Sequence, residues 1–144
     1  MKRLLNVMFF AIWLLLAAGL RSETALPKQW EPDLDRAIEA IEKELEEATA
    51  QMVMNDLSAT LSQLKDARLA LVYLQLYGAL PEKERTLLKS EQQKWLRKRE
   101  AAVHAVSPDP DERGSITPLE ENLAAIKETE IRTKELGERL NKLE

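Results

Sequence analysis

A chain of 144 residues has room for one domain and a leader. Charged residues at 32%, hydrophobic residues at 44% and only four glycines are the balance of a folded helical protein and exclude a disordered one. The net charge of −4, which becomes −6 if a cleaved leader takes Lys2 and Arg3 with it, lacks the basic stripe that nucleic-acid binding needs and suits a cationic partner. There is no cysteine, which excludes disulfides, thiolate catalysis and zinc–thiolate sites. Aromatics at 5% leave the core to Leu, Ile, Val, Met and Ala.

Lys2 and Arg3 precede an apolar run from Leu4 to Leu20, broken only by Asn6, and Ala17-Ala18-Gly19 offers small residues for cleavage. That order is the order of a secretory signal, so residues 1–19 are expected to be a signal peptide and the protein to be periplasmic or secreted. The alternative is an uncleaved anchor, because the run meets the lower limit of about 17 residues for a membrane span. A membrane is expected as a partner only in that case. Residues 20–32, with Pro27 and Pro32 and mixed charge, read as a flexible leader. The domain is then 33–144.

From Leu34 the apolar positions Leu34, Ile38, Ile41, Leu45, Ala48 and Met52 follow steps of four and three along one helical stripe. The stripe resumes at Leu57, Leu61, Leu64, Ala67, Leu71 and Leu74 after a step of five, which predicts a kink or short turn between Thr49 and Asn55. Gly78, as a C-terminal cap, and Pro81 are expected to end this segment. A second helix is predicted over about 81–106, with Glu82 and Glu84 in its first turn, where the helix dipole favours them. Its stripe is Leu88, Gln92, Trp95, Arg99, Ala102 and Val106. Residues 107–115 carry too much Pro and Gly for regular structure. A third helix starts at Thr117-Pro118-Leu119-Glu120, a capping box with Pro at the first position, and its stripe runs from Leu119 through Leu123, Ile126, Thr129, Thr133, Leu136 and Leu140 to Leu143. The expected fold is all-α: a small antiparallel bundle of about three helices, the first long or kinked.

The sequence holds no phosphate loop, nucleophile elbow or paired-histidine metal motif, and no cofactor or metal site is expected. His104 is alone near a helix end, and a metal or triad role would need partners the chain lacks. The carboxylates lie among lysines on helix faces, as a solvated surface would place them. An enzyme is therefore not expected. Gln92, Trp95 and Arg99 share one stripe, so a buried arginine needs a carboxylate on a facing helix, for which Asp66 is the candidate. The loop residues Asp109, Asp111, Glu112, Arg113 and Ser115 are candidates for binding, because loops on rigid scaffolds often carry it.

These features together resemble the lysozyme inhibitor LprI-like family of small exported domains. Ala48, Gln51, Met54 and Asn55 are similar to its A-x-T-Q-x-x-M-N stretch, with Ala50 at the usual Thr. Asp66, Leu69 and Tyr73 resemble D-x-x-L-x-x-x-Y, with Ala70 at a usual Asn, and Leu88, Gln92, Trp95 and Arg99 resemble L-x-x-x-Q-x-x-W-x-x-x-R. Gly114-Ser115 resembles the G-G-S turn, and Thr129 with Arg132 the closing T-x-x-R. The resemblance spans about 45–140. Asp66, Tyr73, Gln92, Trp95, Arg99, Thr129 and Arg132 would then be family residues with a structural role. The family's four cysteines, which would form two bridges, are replaced here by Leu45, Leu57, Val103 and Ala124. Cysteine packs as a small hydrophobe, so apolar replacement keeps the packing while losing the crosslinks. The resemblance implies an exported binding protein that inhibits a cationic lysozyme by occlusion. The alternative is an envelope structural or adaptor protein that self-associates or binds a partner through a helical face.

Overall fold

The computed structural model describes residues 32–106, 111 and 113–143. The expected signal peptide (1–19) and the expected leader up to residue 31 lie outside them. Among the described residues there are four α-helices and no strand: α1 (Leu34–Glu47), α2 (Gln51–Ala79), α3 (Glu82–Val106) and α4 (Thr117–Asn141).

The expected long first helix is two helices. Asp33 caps α1 by accepting from the Arg36 N–H at 3.1 Å. Ala48 and Ala50 then adopt extended backbone, with ψ of 135° and 127°, and the chain reverses. Asp35 meets Arg68 and Glu42 meets Lys65, so α1 and α2 form an antiparallel hairpin. A helix running straight from 34 to 79 would be about 70 Å long and would leave the stripe of α1 without a partner. The reversal buries Ile38 against Leu61 and Ile126, with Leu34, Ile41, Leu45 and Leu64 packed around them.

Gly78 stays helical and no glycine adopts positive φ, so it is not the expected cap. The stop comes from Pro81, which holds the preceding Leu80 in extended backbone (φ −84°, ψ 148°). Arg85 supplies the cap, donating through Nε to the Leu80 carbonyl at 2.7 Å and through a terminal nitrogen to the Gly78 carbonyl at 3.1 Å. Helix α3 starts immediately, with Glu82 and Glu84 in its first turn.

The capping box at Thr117 does not form. Thr117 Oγ1 accepts from the Gly114 N–H, and the Glu120 N–H donates to the Ile116 carbonyl. Pro118 does stand in the first turn.

Helices α2 and α4 run parallel as the central pair. Asn55 reaches Ser115, Ser58 reaches Asn122 and Lys65 reaches Glu130, so both chains advance together. Helix α3 runs against both, as Trp95 to Glu128 and Glu91 to Arg139 show. Helix α1 flanks the pair through Leu61 and Ile126, and α3 flanks it through a second core of Leu69, Leu76, Leu80, Leu88, Trp95 and Leu136.

The central position of α2 corrects its predicted stripe. Its buried residues are Ser58, Leu61, Leu69 and Leu76, while Ala67 and Leu74 are exposed and Met52 is 74% exposed. A helix that packs on more than one neighbour buries more than one face, and a single-stripe count drifts across them. In α4 the fully or nearly fully buried positions are Thr117, Ala125, Ile126, Thr129, Arg132 and Leu136, whereas Leu123 and Leu143 of the predicted stripe are exposed. Val106 likewise ends the α3 stripe in solvent.

Candidate functional site

The conspicuous polar residues of α2, α3 and α4 converge on one layer. Arg99 donates to Asp66 Oδ2 at 2.9 Å, and Thr129 Oγ1 donates to Asp66 Oδ1 at 3.1 Å. The Arg99 guanidinium also lies 5.7 Å from the centre of the Trp95 ring, within cation–π range. The Trp95 indole N–H donates to the Glu128 carbonyl at 3.3 Å. One turn away, Arg132 Nε donates to Gln92 Oε1 at 3.1 Å and its Nη1 to Glu135 at 3.2 Å. Six of the seven family residues singled out in the sequence therefore fall into two neighbouring groups: Asp66, Trp95, Arg99 and Thr129 in one, and Gln92 with Arg132 in the other. Tyr73 is apart from both: it packs on the apolar core and stacks with Tyr77 at 6.1 Å, with Arg85 and Lys89 over the Tyr77 ring.

The buried arginine is Arg132, 7% exposed, rather than Arg99. Its Nη2 atom is buried with no hydrogen-bond partner and lies 3.8 Å from the Glu91 carboxylate, which Arg139 also engages. Spacing alone points to Gln92 and Arg99 on the α3 stripe; it carries no sign that α4 turns Arg132 toward them. Asp66, Arg99 and Thr129 join α2, α3 and α4, and Gln92 with Arg132 joins α3 to α4 again, so these residues fix the register of the bundle.

A second polar chain ties the ends of the helices together, and spacing did not reveal it. Ser58 is fully buried, donates to the Asn55 carbonyl and accepts from Asn122 Nδ2 at 3.0 Å. Gln51 donates to Asn55 Oδ1, and Asn55 Nδ2 donates to the Ser115 carbonyl at 2.9 Å. The available signal was the Gln51–Asn55 spacing of four, which puts two amides on one helix face.

This chain anchors the loop after α3. Arg113 grips both oxygens of Glu121 at 2.7 Å, and Ser115 takes part through its backbone. Asp111 is exposed; Asp109 and Glu112 lie outside the described residues. Thus Arg113 and Ser115 hold the loop, and Asp111 is the described loop carboxylate that faces solvent. His104 is exposed near the end of α3. No group of three or more His, Cys, Asp or Glu side chains among the described residues is placed to hold a metal.

The last-turn acids of α1 lie at the same end of the molecule. Six carboxylates against two cations give α1 a net charge of −4. Glu44, Glu46 and Glu47 crowd its last turn, which contains no basic residue. Negative charge there opposes the helix dipole. Glu47 has Lys43 at 4.0 Å; Glu44 and Glu46 have no ion pair among the described residues.

A helical chain whose marked polar residues are engaged in internal hydrogen bonds, with a loop and the last-turn acids of α1 gathered at one end, is a small helical scaffold. The family model described as Lysozyme inhibitor LprI matches residues 42–136, well over half of the chain, and the protein belongs to that family. The match covers all of α2 and α3 but only the last turns of α1. No curated protein and no solved structure matches the chain. Leu45, Leu57, Val103 and Ala124, at the positions where the family resemblance implies cysteine, are all half-buried. None of the described helices is long and apolar enough to cross a membrane.

Proposed function

We propose that this protein is an exported, periplasmic or secreted inhibitor of lysozyme that works by occlusion, without catalysis. The observation that carries the reading is the family match over 42–136, and the charge layout supports it. The end of the bundle formed by the last turn of α1 and the 107–115 loop presents Glu44, Glu46 and Asp111 to solvent, and a cationic enzyme would be steered there. Asp109 and Glu112 remain binding candidates on the sequence alone. The polar network serves to hold this end rigid, which limits the entropy lost on binding.

Lysozyme activity on bacterial cell walls, titrated with the purified chain at low and moderate salt, tests this. Stoichiometric inhibition that weakens as salt screens the charges supports the reading. No inhibition at large excess removes lysozyme as the target. The second reading, an envelope adaptor that binds through a helical face, is favoured by α3, whose seven Lys and Arg against four Glu give it a net charge of +3 on the flank opposite α1. It predicts salt-sensitive binding to an acidic partner with no effect on lysozyme.

A further inference from the structure

Ten large hydrophobic residues are exposed among the described residues, and five of them gather at the acidic end. Met52 (74% exposed) and Val53 lie within one turn of Asn55, whose side chain holds the Ser115 carbonyl next to Ile116. Val106 and Leu123 line an open groove between the end of α3 and the start of α4, together with Ala102 and Ala124 and with the charged residues Glu120, Lys127 and Glu128. Of the other five, Leu74, Leu87, Leu96 and Ile131 are spread over three helices and Leu143 lies beyond the end of α4. An apolar centre beside unpaired charge is the anatomy of a protein interface, with a hydrophobic core and a polar rim. The rim is unfavourable for the protein alone, since Glu44 and Glu46 stand at the negative end of α1 with no cation in that turn. Such local conflicts concentrate at functional surfaces, where a partner relieves them.

We infer that Met52, Val53, Ile116, Val106 and Leu123 form the contact core of this surface, and that its occupant is a cationic protein presenting an apolar side chain ringed by Lys or Arg. This rests on the inhibitor reading and adds to it a division of labour. The acids govern the rate of encounter, and the apolar centre governs how long the complex lasts. Methionine suits such a centre because its unbranched side chain adapts to the shape it meets.

The test uses the chain purified after export and a cationic animal lysozyme, with association and dissociation followed at two salt concentrations. Two variants are compared with the unaltered protein: Met52→Ser with Ile116→Ser, and Glu44→Gln with Glu46→Gln. All four residues are exposed, and an unchanged helical spectrum confirms folding. The apolar variant is expected to dissociate about tenfold faster or more at both salts, as interface anchors do. The acid variant is expected to associate more slowly and to lose much of the salt dependence. If the unaltered chain binds and the apolar variant dissociates at the same rate, the apolar core is overturned while the inhibitor reading stands. If the unaltered chain does not bind, both fall. A concentration-dependent dimer in sedimentation, abolished by Met52→Ser with Ile116→Ser, would also overturn the inference, because the patch would then be covered by a second copy.

Discussion

The two helices that flank the α2–α4 pair are attached by different means. Helix α3 is held by a deep core around Trp95 and by two side-chain hydrogen bonds to its neighbours, Arg99 to Asp66 of α2 and Gln92 to Arg132 of α4. Helix α1 is held by one apolar stripe centred on Ile38, edged with ion pairs at the surface. The family match follows this division, since it takes in all of α3 and only the end of α1. The three-helix unit α2–α3–α4 is thus the firmly held scaffold in physical terms, while α1 brings the acidic charge and is the less firmly tied part.

The largest effect is expected from Trp95→Ala. It removes a residue 8% exposed at the centre of the α3 core and leaves the Glu128 carbonyl without its indole donor. Loss of about 3–5 kcal/mol in urea unfolding is expected. A loss under about 1 kcal/mol would mean that α3 is not the firmly held flank.

Next comes Ile38→Ala. Deleting a buried isoleucine costs about 2–5 kcal/mol where unfolding is global. If α1 is a separate cooperative unit, the cost appears locally: hydrogen exchange rises across α1 and stays unchanged in α3. Equal loss of protection in α1 and α3 would break the comparison and make the four helices one unit.

The same contrast separates what the sequence disclosed from what it did not. Periodicity located the helices because apolar residues recur at helical spacing, and Pro81 and Pro118 marked starts that hold in the structure. The stripe also placed Gln92, Trp95 and Arg99 on one face, and a buried cation's need for a counter-charge led to Asp66. The step of five between Met52 and Leu57 signalled a break near Thr49, and the structure places it at Ala48–Ala50; that the break is a full reversal was not legible, because two alanines suit a helix and only the loss of a partner for the α1 stripe makes a turn better there. Nor was Arg132, whose burial depends on the rotation of α4 between two neighbours. The binding candidates at 107–115 were chosen for their composition; the structure engages Arg113 with Glu121, and the exposed hydrophobics nearby, Met52 and Ile116, carried no signal in spacing.

A smaller effect is expected at Arg132, and its sign depends on the replacement. Arg132→Ala removes the Gln92 bond and leaves a void beside Leu136, costing about 1–3 kcal/mol. Arg132→Met keeps the packing of the stem and removes the buried Nη2 that has no partner, so a change within about 1 kcal/mol in either direction is expected. If methionine costs as much as alanine in unfolding experiments, the guanidinium contributes more than register, and the network is a stabilising device in its own right.

The smallest effect concerns the staple between the flanks. Lys65 on α2 donates to Glu130 of α4 at 2.6 Å and lies 2.7 Å from Glu42 of α1. Burial works most strongly against its charge, but hydrogen bonds to Glu130 and Glu42, with their Coulomb attraction, outweigh burial and raise its pKa above the ordinary 10.5. A raised pKa means that folding favours the ammonium, so the stabilisation is whole below 10.5 and fades as pH climbs through the raised value. Because both carboxylates are 41–49% exposed, its worth is expected to be about 1 kcal/mol or less. Urea midpoints between about pH 9 and pH 11.5 measure it, with Lys65→Met as the reference that should show a flatter alkaline decline. The decline should appear in the exchange of α1 amides before those of α3, because Glu42 is the only one of the two acids on the loosely held flank. A decline equal in Lys65→Met would place the alkaline sensitivity elsewhere and leave the apolar stripe around Ile38, with the Asp35–Arg68 ion pair at its edge, to tie α1 to the scaffold.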